Sequence, residues 1–159
     1  MSERSAINSK VVVCDYLHYR LHAKDSVRWV KLPLVELRMR SPSAEFGSVG
    51  LVDSGSDRTF VPKEEAELLG LKPQTLTDGT KRIAEALGAG GSFLCEIMAL
   101  PEMRLMWHRV QFQDFHGLSV WVPQKNEDIP YTIIGRDIVF KRFEISFNES
   151  HRKITFRRV

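Results

Sequence analysis

The sequence is poor in cysteine and contains no long apolar segment. Its 159 residues include only two cysteines, Cys14 and Cys95. They lack the CxxC spacing of structural zinc sites, so we expect reduced thiols and no disulfide framework. Residues 1–10 are polar, and no segment approaches the ~20 apolar residues that span a bilayer. These absences favour a cytoplasmic protein that makes no contact with a membrane.

A large excess of charge of one sign is also missing. The chain has 23 Lys and Arg against 20 Asp and Glu, a formal net charge of +3, and its pI is about 9.0. The basic residues are spread along the chain and form no long run, which favours a solvated surface over a nucleic-acid patch. We therefore expect no nucleic-acid partner; a small nucleic-acid-binding β-barrel is an alternative that depends on the pI alone.

Alternating apolar and polar residues predict many short β-strands. In residues 34–40, Val35, Leu37 and Met39 alternate with charged side chains, which is the period of two expected of a strand with one buried face. Further segments rich in β-branched, aromatic or alternating residues lie at 11–23, 46–52, 92–100, 110–122, 143–147 and 154–156. Many short strands with little helix indicate a β-barrel or a folded sheet.

Two segments are typical of short helices. Residues 61–71 place Pro62 in a first helical turn and Gly70 just beyond the end, as helix termini favour. The second helix is predicted at 135–142. We therefore predict an all-β fold with one or two short helices, formed by a single domain at residues 10–159 after a flexible N-terminal tail at residues 1–9.

A carboxylate occurs at a sharp turn directly after an apolar strand. In GLVDSGSDRTFVP, the strand that ends at Val52 runs into Asp53, Ser54 and Gly55. Gly55 permits backbone geometry that a Cβ would obstruct, and Ser54 supplies a short hydroxyl that can bond backbone across a tight junction. The pattern predicts that Asp53 is held rigidly in a half-buried position.

Two further segments follow this turn. A glycine-rich stretch at residues 88–91 lies between the predicted strands 81–87 and 92–100, which predicts a hairpin tip. The later block YTIIGRDIVFKRFEISFN is another apolar strand that ends in Gly135, Arg136 and Asp137 and is followed by the second predicted helix and a strand.

These three segments, in this order, resemble the retropepsin family, the retroviral-type aspartic proteases and their cellular relatives. The resemblance covers about residues 31–157. It implies the closed acid-protease β-barrel with one lobe per chain, and an aspartic endopeptidase that needs no cofactor. An insert at residues 123–130 and some 30 residues before the first matching strand depart from the viral pattern, and they affect the expected dimer contacts and substrate pockets.

The resemblance also implies roles for single residues. Asp53 matches the catalytic carboxylate, Ser54 the hydroxyl that locks two active-site loops together across a dimer, and Gly55 a part of the substrate-lining backbone. Asp57 matches an acid that contacts substrate backbone. Arg136 matches an arginine that pairs with that acid, so we expect a charge-assisted contact between Asp57 and Arg136.

The hairpin tip matches the flap of these proteases. Gly88, Ala89, Gly90 and Gly91 would let the hairpin open for a peptide and then place backbone groups over it, as a lid does. The alternative is an ordinary mobile hairpin without contact to a substrate.

Aspartic-protease chemistry needs two carboxylates that share one proton, and this chain has one Asp-Ser-Gly motif. The resemblance therefore implies a homodimer in which Asp53 of each copy supplies half of the catalytic pair, with a peptide or protein as substrate. The alternative from another functional class is an inactive domain of the same fold that binds peptides or dimerises.

A metal site is not expected. His18 and His22 lie four residues apart, which suits a metal on a helix, but in a strand they would be about 13 Å apart at ~3.3 Å per residue.

Overall fold

The computed structural model describes residues 9–23, 26–125 and 129–159, and most of them lie in β-strands. The predicted tail at residues 1–9 falls outside these ranges except for Ser9. In the described ranges, no helix is long and apolar enough to cross a membrane.

In chain order the elements are β1 (Val11–Asp15), β2 (Leu17–Ala23), β3 (Ser26–Leu32), β4 (Leu34–Arg40), β5 (Glu45–Val52), α1 (Lys63–Leu68), β6 (Lys72–Pro73), β7 (Ile83–Gly88), β8 (Gly91–Trp107), β9 (Val110–Pro123), β10 (Thr132–Ile134), a 3-10 helix (Val139–Lys141), β11 (Phe143–Asn148) and β12 (Lys153–Arg158).

The largest sheet has the strand order β10-β5-β4-β8-β6, and β7 and β9 also pair with β8. Its neighbours are antiparallel except for β5 and β10, which are parallel, with Val52 opposite Ile134. Because the carboxyl ends of parallel neighbours meet at one edge, the residues that follow β5 and β10 leave the sheet side by side. This edge is where the candidate site forms.

A second sheet packs the N-terminal and C-terminal strands together. Its order is β1-β12-β11, and both pairs are antiparallel. The third sheet is the β2–β3 hairpin, whose Tyr19 packs edge-on against Tyr131 with ring centroids 5.0 Å apart. The all-β prediction is confirmed, and closure of the sheets into a barrel stays a prediction. The single strand expected at 11–23 is interrupted at Tyr16, so β1 and β2 belong to different sheets.

The core joins the two larger sheets. Val35, Leu37 and Met39 of β4 are at most 2% exposed, as their alternation predicts. The rings of Phe112, Phe143 and Phe156 pack together with centroids 5.3–6.3 Å apart. Each such buried side chain stabilises the fold by about 1.5–3 kcal/mol.

The two helix predictions have different outcomes. α1 is present where predicted, with Pro62 at its N-cap and Gly70 beyond its end at φ +62°, a conformation that suits glycine. The helix predicted at 135–142 is wrong for most of its length, since only Val139–Lys141 form a short 3-10 helix. The physical reason is tertiary: Arg136 donates its N–H to the Ser56 carbonyl at 2.9 Å, which draws this segment onto the loop after β5.

Candidate active site

Asp53 stands at the carboxyl end of β5 and is half-buried. Its backbone N–H donates to the carbonyl of Ile134 at 3.1 Å, which ties the turn to the end of β10. Its Oδ1 accepts the N–H of Gly55 at 2.8 Å. One carboxylate oxygen is therefore anchored within its own turn, and the side chain faces a cleft from a fixed backbone.

Gly135 allows the loops after β5 and β10 to cross closely. A Cβ at Gly135 would lie 2.9 Å from the Arg58 backbone nitrogen and closer still to the Arg58 carbonyl, separations that real Cβ atoms do not show. A glycine is required here because backbone, which cannot move aside like a flexible side chain, occupies the space.

Thr59 connects the two loops by hydrogen bonds and is fully buried. Its hydroxyl donates to Asp137 Oδ1 at 2.7 Å, and its N–H donates to Asp137 Oδ2 at 3.2 Å. The same hydroxyl oxygen accepts the N–H of Gly135 at 3.1 Å. Neither Thr59 nor Asp137 was predicted to have this role from the sequence. The available signal was position alone, because Thr59 lies six residues beyond Asp53 and Asp137 directly follows Gly135 and Arg136.

Asp57 and Arg136 lie at the outer rim of the crossed loops. Arg136 Nη2 donates to Asp57 Oδ1, and both side chains are more than half exposed. The structure therefore brings these two predicted residues together as an ion pair near the solvent. Exposed pairs contribute little to stability, about 0–1 kcal/mol.

The glycine-rich segment forms the tip of the β7–β8 hairpin. Gly88 pairs with Gly91, so Ala89 and Gly90 form a two-residue turn. Gly91 has φ +109°, which favours glycine. The predicted hairpin tip is confirmed in its place and connection, whereas its movement as a lid stays a prediction.

This tip and the Asp53 turn line a common cleft of about 510 Å³, which we call the Asp53 cleft. Asp53, Gly55 and Ser56 form one wall. The other lining groups are the hairpin tip and apolar side chains of Phe60, Leu87, Phe93, Ile129 and Ile133. An acidic group beside an apolar cleft, under a hairpin rich in exposed backbone groups, suits an extended peptide chain.

Among known proteins, the similarity of this chain lies in its fold. Neither a protein-family model nor a curated protein sequence matches the chain. Among solved structures it is similar to a retropepsin-like aspartic protease from Rickettsia conorii, with a TM-score of 0.54 and 13% identity over 93% of this chain and 90% of the other. The chain has the retropepsin-like fold. It is also similar to the retroviral protease-like domain of Ddi1 from Leishmania major, with a TM-score of 0.47 and 16% identity over 82% of this chain and 95% of that one.

Within this retropepsin-like fold, Ser54 occupies the tip of the Asp53 turn. Ser54 is exposed, and its side chain makes no hydrogen bond to any residue that the structure describes. The hydroxyl is therefore available to a group outside this chain.

Glu65, in the first turn of α1, supports the site, and no signal in the sequence pointed to this role. From α1 it accepts the hydroxyl of Ser48 at 2.6 Å and that of Thr132 at 3.1 Å. These partners lie in β5 and β10, so one carboxylate connects the helix to both strands that carry the site loops. Burial raises the pKa of Glu65, and the two hydroxyl bonds oppose that rise.

Tyr131 also has a shifted pKa. Burial raises the pKa of its hydroxyl, and the nearby Tyr19 and Asp53 raise it further.

For metal binding, the described ranges contain no group of three or more His, Cys, Asp or Glu side chains that could hold an ion.

Proposed function

We propose that this chain is one subunit of a homodimeric aspartic endopeptidase, in which Asp53 and its copy in a second subunit activate water for hydrolysis of a peptide bond. The observation that carries the proposal is the position of Asp53, half-buried, anchored by the Gly55 N–H and facing a 510 Å³ cleft under a glycine-rich hairpin. The retropepsin-like fold is consistent with this chemistry.

Two copies are needed because one chain supplies one Asp-Ser-Gly motif. In a two-fold dimer each residue near the axis faces its own copy, so an axis beside Asp53 would bring two carboxylates together. Ser54 would then bond across the dimer to the opposite loop, which is consistent with its exposed side chain and lack of a partner among the described residues.

Ionisation of one carboxylate opposes ionisation of its neighbour, so the pair shares one proton at pH values between its two apparent pKa values. The ionised member acts as general base on a water molecule, while the protonated member donates a hydrogen bond to the peptide carbonyl. The roles then exchange to protonate the leaving amine. The two apparent pKa values belong to the pair.

The remaining predicted residues would bind the peptide. Gly88, Ala89, Gly90 and Gly91 would present backbone N–H and C=O groups to an extended substrate as an added strand does. Asp57, held by Arg136, would contact the substrate backbone. We include a cytoplasmic location in the proposal because a sequence with two cysteines and no CxxC spacing suits a reducing compartment.

The first prediction tests this activity. Purified protein is incubated with a mixed peptide library between pH 4 and 7, with and without a statine-type inhibitor, and products are detected by mass spectrometry. We expect inhibitor-sensitive cleavage that Asp53→Asn abolishes, a loss of at least about 10³-fold because the dyad acts as a unit.

The matched control is Asp78→Asn, which makes the same change in an exposed turn that lacks the Ser or Thr between Asp and Gly. This variant should retain full activity. Cleavage by the Asp53→Asn protein would refute the mechanism. Peptide binding by the wild type without any cleavage would instead support the inactive peptide-binding domain.

A further inference from the structure

A second cleft, which we call the basic cleft, is rich in cationic side chains. It has a volume of about 320 Å³, and its charged lining residues are Arg58, Arg82, Lys141 and Asp137. The carboxylate of Asp137 already accepts two hydrogen bonds from Thr59. Three exposed cations thus face one carboxylate that is engaged elsewhere.

None of these cations is in an ion pair with another residue of the described ranges. Arg58 instead lies over the ring of Trp121, 5.7 Å from the ring centroid, and Arg82 donates to Gln74 Oε1 at 2.9 Å. The Trp121 ring and the neutral Gln74 amide orient the two guanidinium groups, but neither partner carries a negative charge that would neutralise them. The basic cleft is therefore suited to an anionic group, and the hydroxyl of Ser119 lies in the same lining.

The basic cleft adjoins the Asp53 cleft. Phe60 lines the Asp53 cleft, Trp121 lines the basic cleft, and their ring centroids are 5.9 Å apart. The β7–β8 hairpin also borders both clefts. Its tip lines the Asp53 cleft, whereas Arg82, directly before β7, and Ile97 of β8 line the basic cleft. A single extended ligand can therefore reach both clefts.

We propose that the basic cleft binds a carboxylate side chain of the peptide that occupies the Asp53 cleft, so that preferred substrates carry Asp or Glu near the cleaved bond. This inference rests on the proposed function. The Phe60–Trp121 ring contact lies between the two clefts. At ~3.3 Å per residue, an extended peptide that crosses this contact places its acidic residue roughly two to four positions from the cleaved bond. A two-fold dimer has one basic cleft on each side of the bond, so an acid is accepted on either side.

The second prediction concerns matched peptides. A sequence that the protein cleaves is synthesised with Glu, Gln or Lys two, three or four residues from the cleaved bond, and kcat/KM is measured for each. We expect a preference for Glu over Gln of about tenfold at the best position, or about 1.4 kcal/mol. The preference should shrink in ~1 M NaCl, where the Debye length falls to about 3 Å.

Charge-reversal variants separate recognition from damage to the fold. Arg58→Glu and Lys141→Glu should each turn the preference toward the Lys peptide, whereas a loss of folding lowers kcat/KM for all peptides equally. Arg28→Glu is the control, because it makes the same change on an exposed residue of β3 outside the cleft lining. It should leave the Glu preference unchanged.

Binding to the Asp53→Asn protein distinguishes this inference from the proposed function. Fluorescence anisotropy with labelled Glu and Gln peptides measures recognition without cleavage. If Glu peptides bind more tightly and Arg58→Glu reverses that order, the basic cleft is supported even where the wild type cleaves nothing. Equal affinity for the two peptides, or a preference that survives both charge reversals, would overturn it.

Discussion

Among single residues, Gly135 and Thr59 explain why the site loops hold one geometry. Gly135 lets two backbones cross where a Cβ would lie 2.9 Å from the Arg58 nitrogen. Thr59 fills the crossing with hydrogen bonds to residues 76 and 78 positions away. In the proposed function Asp53 supplies the reactive group, and Gly135 and Thr59 hold together the two loops between which it lies.

The third prediction follows from this crossing. The substitution Gly135→Ala places a methyl group against the backbone of Arg58. Overpacking of this kind costs about 1–3 kcal/mol or more. We expect a drop of that size in the free energy of unfolding, measured by urea denaturation, together with loss of peptide cleavage. Gly47→Ala is the control, because a Cβ there meets nothing within 4 Å; an equal loss in both variants would contradict the explanation.

The sequence predicted those parts of the candidate site whose local structure depends on neighbouring residues. The Asp-Ser-Gly turn, the glycine-rich tip and α1 each depend on residues within a few positions of one another. The hydrogen bonds of Thr59 and Glu65 could not be predicted in this way, because they join residues that are far apart along the chain and come together only when β5 and β10 pair. The prediction of a helix at 135–142 was wrong for a similar reason, since the Arg136 N–H bonds the carbonyl of Ser56, which is far along the chain.

Between elements, α1 is fixed to the site strands through Glu65. The helix has only six residues, too short to be stable alone, so its position depends on tertiary contacts. One carboxylate accepts hydroxyls from β5 and from β10. Partial burial makes the ionised form of this carboxylate costly, which links the attachment of the helix to pH.

The fourth prediction concerns this link. Burial raises the folded-state pKa of Glu65 above 4.5, so the folded protein binds the proton more tightly than the unfolded chain. The contribution of Glu65 to stability is therefore greatest below about pH 4.5 and is lost as pH rises through its folded pKa. Glu65→Gln keeps one acceptor and removes the charge.

We expect urea denaturation to show that the stability of Glu65→Gln relative to wild type improves between pH 4 and pH 7. The control is Glu85→Gln, which makes the same change on an exposed residue of β7, and an equal improvement in that variant would contradict the explanation by burial. A relative stability of Glu65→Gln that is independent of pH would contradict the role of burial.

In the assembled protein, the proposed active site belongs to two chains. The fold positions one carboxylate per chain at an open cleft, and the proposed mechanism needs a second within hydrogen-bonding distance. If the chain is active only as a dimer, an inactive subunit lowers the activity of wild-type protein, because it forms inactive dimers with wild-type chains. Concentration and subunit mixing therefore test the proposal more directly than any single substitution.

The fifth prediction is dominant inhibition by the Asp53→Asn subunit. Equal amounts of wild type and Asp53→Asn, mixed by dilution and reconcentration to exchange subunits, leave about one quarter of the dimers with two active chains if pairing is random. Cleavage should therefore fall to about half of that given by the same amount of wild type alone. Mixing with Asp78→Asn instead should raise cleavage, since both partners are active. Analytical ultracentrifugation of each mixture checks that dimers form, and cleavage that is unaffected by the Asp53→Asn chain in such dimers would mean that each subunit acts by itself.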